Sequence, residues 1–375
     1  MKIAALCDFP YWEANVGTAI RYESLCQSLS TVCDLTVISS VTLHGKYRPF
    51  ANQAPYTLID RKHLKDLDKT QGLADIPGVR PDRQMTVRSI KHYIESNGFD
   101  AVLTPYFNRK WMIEHLAPQI VRIIDTHDCQ SQRTRSFAMH GLTPTFSMTP
   151  ETEGAELDYY DLAIAMSDED QAEFVKMTQI PIVTAPFRLP VRNIYRNKTS
   201  AQDLLFIAAK SDVNDMTLAY LLREVMPLVG RETNLHIVGN VTVPEFRPSN
   251  TNVINHDRIE DLADIYSQVD LALNPTYAGG GVKTKTLEAI CYGVPILTSD
   301  EGARGMRHLI PDPLIANDKE TFAYQIGALL GDYRQRMQLS KQIIQNVVAE
   351  PSEAWTEPFR HILAAVRAEK LGAAA

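Results

Sequence analysis

The feature that most constrains this chain is an alternation that runs along it twice. Short apolar runs of strand length alternate with amphipathic stretches of helix length. KIAALCDF opens the series, TAIRYESLCQSLS (18–30) has helical character, and LTVISS, DAVLTPY, VRIIDTHD and DLAIAMS continue it. The pattern breaks at APFRLPVRNIYRNKTS (185–200), whose two prolines, basic residues and polar end read as a linker. It then resumes with DLLFIAAK, MTLAYLLREVMPLV, LHIVGN, LADIYSQ, VDLALNP, TLEAICYG and VPILTS. Strand and helix signals in alternation predict parallel sheets covered by helices on both faces. The expected fold class is therefore α/β, with two domains of similar build and a cleft between them. In such sheets ligands bind beyond the carboxyl ends of the strands.

Composition narrows the function classes. With 375 residues, 45% hydrophobic and 22% charged, the chain can form two cores. A formal net charge of −7 gives no general affinity for nucleic acid. Cys7, Cys26, Cys33, Cys129 and Cys291 are scattered without a CxxC pair, as reduced thiols would be. MKIAALCDFP meets Asp8 and Pro10 too soon for a signal-peptide core, and no run of about 18 apolar residues exists. The expected location is cytoplasmic. RKHLKDLDK (61–69) is a mixed-charge helix; interrupting acids favour a solvated face over a dock for an anionic membrane or polyanion.

The richest stretch is NPTYAGGGVKTKTLEAICYGVPILTS (274–299). Glycines let a backbone approach a ligand closely, and the amides of a helix start favour an anion. Lys283 and Lys285 add charge suited to a diphosphate. Glu288, one turn into the helix, points back toward its start, where a carboxylate can accept hydrogen bonds from a ribose diol. Alone, the glycines fit a turn and the glutamate a surface position equally well.

Order and spacing across residues 204–306 carry more. LLFIAAKSDVNDMTLAYLLREVMP, LHIVGN and VINHDRIEDLADIYSQVDLALNPTYAGGGVKTKTLEAICYGVPILTSDEGARGM follow in sequence. The succession resembles that of the retaining GT-B-fold glycosyltransferases of group 1, family 4. The resemblance implies two Rossmann-like domains, 1–190 on the acceptor side and 191–350 on the nucleotide-sugar side, with residues 351–375 forming a helix that crosses back. It implies that Glu288 binds the ribose, and that Gly279, Gly280, Gly281 and Val282 pack around the diphosphate and donor sugar. Lys283 and Lys285 would neutralise the leaving group. Asn214, and Lys210 as either a donor ligand or a solvated lysine, join this set. Many family members carry a glutamate eight residues before the one in L-E-A. That position is Gly280 here, as in a glycine-rich subset of the family, so the carboxylate that usually touches the sugar is missing.

In the amino-terminal half, DFPYWEANVGTAIRYESLCQSLS resembles the family's first loop and helix. It would bring Gly17 and Thr18 to the acceptor or phosphate side; Arg21 reads more readily as a solvated helix residue. RIIDTHDCQSQRTRSF (122–137) delivers His127 and Asp128 to a strand end as the catalytic candidates: an imidazole to touch the sugar or acceptor hydroxyl, and a carboxylate to orient it or act as base. Arg133 and Arg135 would bind phosphate or a charged acceptor, or pair with the acidic stretch 151–161. Ser167 reads as a helix cap and Trp355 as a packing anchor. The expected reaction transfers a sugar, with retention, from a nucleotide-diphosphate sugar to a glycan, glycolipid or other hydroxyl acceptor. No cofactor or metal is expected, and peripheral membrane association is allowed. The rival readings are a nucleotide-sugar epimerase on the same fold and a non-catalytic transferase-like subunit.

Overall fold

A computed structural model of the chain describes residues 1–13, 17–256, 259, 261–351 and 353–374. Residues 14–16 of the first loop, and 257, 258 and 260 of VINHDRIED, both within the stretches that carry the resemblance, lie outside the described residues. Contacts divide the chain into two units. The first comprises Met1–Cys129, Met148–Arg188 and Ser352–Ala375; the second comprises Gln130–Ser147 and Leu189–Pro351. Residues 130–147 pack with the second unit, and the carboxyl-terminal helix Thr356–Ala374 packs with the first.

The first unit holds seven strands: β1 (Lys2–Cys7), β2 (Asp34–Ser39), β3 (Thr57–Ile59), β4 (Ala101–Pro105), β5 (Val121–Asp125), β6 (Leu162–Ala165) and β7 (Ile182–Thr184). They form one parallel sheet in the order β3-β2-β1-β4-β5-β6-β7. β1 shows why its sequence is apolar throughout. Ile3, Ala5 and Cys7 enter one core with the helix Gly17–Ser30 and with Trp355, Phe359 and Leu363, while Ala4 and Leu6 enter another with Leu64, Ile90 and Ile94. A strand covered on both faces has no polar side to alternate with. The mixed-charge stretch is the helix Arg61–Gln71. Its acids are not all outward: Asp60 caps it and Asp68 pairs with Arg88, leaving Lys62, Lys65 and Lys69 exposed.

The second unit has five parallel strands in the order β10-β9-β8-β11-β12: β8 (Asp203–Ile207), β9 (Thr233–Val238), β10 (Thr251–His256), β11 (Leu271–Asn274) and β12 (Ile296–Thr298). The stretch read as a linker has no regular structure, yet its second half is tied down. Arg192 and Ile194 donate their amides to the carbonyls of Cys291 and Tyr292, at 2.8 and 3.0 Å. In each sheet the strand order reverses once, beside β1 and β4 in the first and beside β8 and β11 in the second. The loops leaving those strands flank the crevice where doubly wound sheets bind ligands. Among the described residues no helix is long and apolar enough to cross a membrane.

Candidate active-site residues

In the second unit, the glycine loop leaves β11 and ends at the helix Thr284–Tyr292. Gly279 and Gly281 have φ of 143° and 59°, conformations that a side chain disfavours. A buried polar frame fixes the loop. Asn274 Nδ2 donates to Thr286 Oγ1 at 2.8 Å, Thr286 Oγ1 donates to the Gly302 carbonyl at 2.8 Å, and Thr298 Oγ1 donates to the Asn274 carbonyl at 2.9 Å. Gly302 has to be small, because a Cβ there would lie 2.1 Å from Thr298 Oγ1. The helix start lacks a side-chain cap, and a helix start of this kind suits an anion.

The charged residues of the loop divide their work. Lys283 Nζ, largely buried, pairs with Glu301 Oε1 at 2.7 Å and donates to the carbonyls of Gly280 and Gly281 at 3.1 and 3.2 Å, so it braces the loop itself. Lys285 Nζ donates to Asn214 Oδ1 at 2.8 Å and lies over the Phe206 ring. Burial lowers its pKa to about 8, Lys283 adding to the effect. Burial raises the Glu288 carboxyl to about 7, against the pull of Lys285. Asn214 Nδ2 donates to the Ala209 carbonyl at 2.8 Å, so Asn214 and Lys285 tie together the helix starts on either side of the strand-order reversal. Lys210 is exposed; its backbone amide donates to Asn240 Oδ1 at 2.7 Å. Val282 is half-buried.

Arg133 lies against the glycine loop. A Cβ on Gly280 would fall 2.7 Å from Arg133 Cβ and 3.2 Å from Gln132 Oε1, and the Gly279 amide donates to Ser136 Oγ at 3.0 Å. The helix Gln130–Met139 thus fills the space that a side chain at position 280 would need.

In the first unit a second cluster forms at the ends of β4 and β5. His127 and Tyr106 both adopt positive φ, 63° and 59°, and their rings stack at 4.0 Å. Left-handed backbone at non-glycine residues costs on the order of 1–3 kcal/mol and gathers at functional sites. His127 Nε2 lies 3.2 Å from Asp125 Oδ2, a close approach without the alignment of a hydrogen bond. Burial lowers the His127 pKa to about 4, outweighing Asp125, so the imidazole is neutral near pH 7. Thr18 Oγ1 and Tyr106 Oη are 2.9 Å apart, and Gly17 begins the helix beside them. Asp128 is half-buried, its amide bonded to the Thr126 carbonyl at 2.8 Å.

One expectation is overturned here. Arg21 is not a solvated helix arginine but is buried: it pairs with Asp125 Oδ1 at 3.0 Å and donates to the Ala185 carbonyl at 2.7 Å. Its partner is 104 residues away, beyond the reach of local helical spacing. Ser167 caps its helix, accepting from the Asp170 amide at 3.1 Å. Trp355 packs in the first unit's core. Sequence reasoning took the acid two residues before His127 as part of the motif but gave Asp125 no role of its own; it missed Tyr106, Ser136, Gln132 and the frame around Asn274, near which the local signals were the N-P and D-E-G turns around β11 and β12.

Among the described residues no group of three or more His, Cys, Asp or Glu side chains is placed to hold a metal ion. Residues 201–332, all within the second unit, match the family described as Glycosyl transferases group 1. By structure the chain is similar to TarM, with a TM-score of 0.72 at 9% identity, covering 96% of this chain and 98% of TarM. It is also similar to sucrose-phosphate synthase from Thermosynechococcus elongatus, with a TM-score of 0.65 at 15% identity and 100% of each chain covered. HepE from Anabaena, solved with UDP and glucose, matches with a TM-score of 0.57 at 13% identity over 100% of each chain. No curated protein matches by sequence. At these identities the likeness defines the fold, which is that of the GT-B glycosyltransferases.

Proposed function

We propose that this chain is a retaining glycosyltransferase that moves a sugar from a nucleotide-diphosphate sugar to a hydroxyl acceptor in the assembly of a polysaccharide or glycoconjugate. The carrying observation is the start of the helix Thr284–Tyr292. There a glycine loop with open backbone geometry meets a half-buried lysine and a half-buried glutamate whose pKa values are displaced toward each other, to about 8 and about 7. Among the described residues no donor is hydrogen-bonded to the Glu288 carboxylate. An anion at the helix start and a diol at Glu288 would favour the charged form of each group. The family match over residues 201–332 and the GT-B architecture support the same reading, as does the presence of UDP in the HepE structure.

In this reading Lys285 and the helix amides hold the diphosphate, with Lys283 keeping the loop in shape. Glu288 holds the ribose. His127, neutral and fixed by Tyr106 and Asp125, offers a hydrogen bond to the sugar or the acceptor hydroxyl, and Asp128 lies beside it. Retention follows from the family resemblance, with the leaving phosphate assisting attack on the same face. Acceptor class and any peripheral membrane association belong to the proposal as well. The test is titration calorimetry with UDP, GDP and their sugar conjugates, followed by the stereochemistry of any product. We expect Glu288→Ala to abolish nucleotide binding while the circular dichroism spectrum stays unchanged. Undiminished affinity in that variant refutes the ribose assignment.

A further inference from the structure

Position 280 poses a structural question of its own. Its Cβ space is occupied by Arg133 Cβ at 2.7 Å and Cγ at 3.2 Å, both close to the stiff base of a side chain. Any residue but glycine would have to push the helix Gln130–Met139 away, and with it the Ser136 hydroxyl that accepts from the Gly279 amide. The same helix brings Gln132 Oε1 to 3.2 Å from that Cβ position. This oxygen is buried and has no hydrogen-bond partner among the described residues. An unsatisfied buried acceptor is costly and calls for a donor. His140, just beyond this helix, places its ring 4.9 Å from that of Tyr277 and makes a further contact with the loop.

We propose that Gln132 is a specificity-determining residue for the donor. Its side-chain amide, delivered by the helix Gln130–Met139, accepts a hydrogen bond from a hydroxyl of an uncharged donor sugar, in place of a carboxylate carried by the loop itself. The proposal rests on the reading of the glycine loop as the donor-diphosphate site. A neutral amide accepts from a hydroxyl without the pull that a carboxylate would exert on a cationic amino sugar. A hydroxyl-bearing neutral hexose is therefore the substrate class that it fits. Arg133 contributes through its aliphatic stem, which closes the space at Gly280.

The experiment compares free nucleotides with nucleotide-sugars on the full chain, using UDP, UDP-glucose, GDP and GDP-mannose as probes in calorimetry. In Gln132→Ala, affinity for the free nucleotide should stay within about twofold while affinity for the sugar conjugate falls about tenfold, the effect of one lost hydrogen bond. Gln132→Glu, which keeps an acceptor of the same length, should recover most of the loss. Equal losses for nucleotide and conjugate would show that the residue only supports the loop and would overturn the proposal. Unchanged binding of both would show that the oxygen is served by water, with the same result. If the native chain binds none of the four probes, the donor-site reading fails first and this inference falls with it.

Discussion

Asp125 holds two partners at once. Its carboxylate neutralises the buried guanidinium of Arg21 and lies against the imidazole of His127, with both side chains almost wholly out of solvent. Burial keeps His127 neutral; Asp125 pulls toward the imidazolium, and the nearby positive charges of Arg21 and Arg109 oppose that pull. If His127 contacts the reacting groups, His127→Ala should lower kcat about a hundredfold with little change in donor affinity, read from steady-state kinetics beside calorimetry. Glu288 gives the pH dependence. Its carboxyl is raised to about 7, so stability is lost as pH climbs through that value; Lys285, lowered to about 8, loses stability as pH falls through its own. The ligand-free protein should thus be least favoured by this pair between those values. A nucleotide that needs ionised Glu288 should bind about tenfold more weakly for each pH unit below about 7, and Glu288→Gln should show no such slope. The residues in these motifs were legible because they cluster along the sequence: THD at a strand end, and lysines and a glutamate at a helix start. Arg21 was not, since its burial depends on a partner from another strand.

At the level of elements, the glycine loop and its helix could be read from sequence, whereas the frame that shapes them could not. Asn274, Thr286, Thr298 and Gly302 come from separate elements and meet only in the folded sheet. The helix Gln130–Met139 is a related case. Its local pattern gives no sign that it packs on a loop some 140 residues further along the chain; the Ser136–Gly279 separation is 143. Gly239, just after β9, has φ of 107°, and a Cβ there would lie 2.3 Å from the carbonyl oxygen of Ala208, just after β8. Gly239→Ala should therefore destabilise the second unit by more than about 1 kcal/mol, through backbone strain and the clash together. The check is a shift in the denaturation midpoint at unchanged m-value.

For the molecule as a whole, apolar runs repeating at strand length predicted two parallel sheets, and two are present, with seven and five strands. Parallel sheets are legible in this way because their central strands are buried on both faces, so those strands run largely apolar, as in β1 and β4. The sheet orders were not legible, because adjacency is settled by crossovers that leave no local trace. A nucleotide bound at about a hundred times its dissociation constant adds about 2.7 kcal/mol to the folded state. UDP or GDP should then raise the Tm of the native chain by a few degrees and leave Glu288→Ala unmoved, as a thermal-shift assay would show.

The backbone passes between its two units four times, after Cys129, Ser147, Arg188 and Pro351. Modularity in this molecule is accordingly incomplete. A recombination joint near residue 190, the natural place to exchange halves between relatives, would give the second sheet a foreign Ser136, Gln132 and Arg133. Hybrids of that kind would inherit their donor loop from one parent and the helix packed against it from the other. Viable exchanges should therefore be those in which the segment 130–147 travels with residues 189–351, and donor preference should follow the pair rather than either piece.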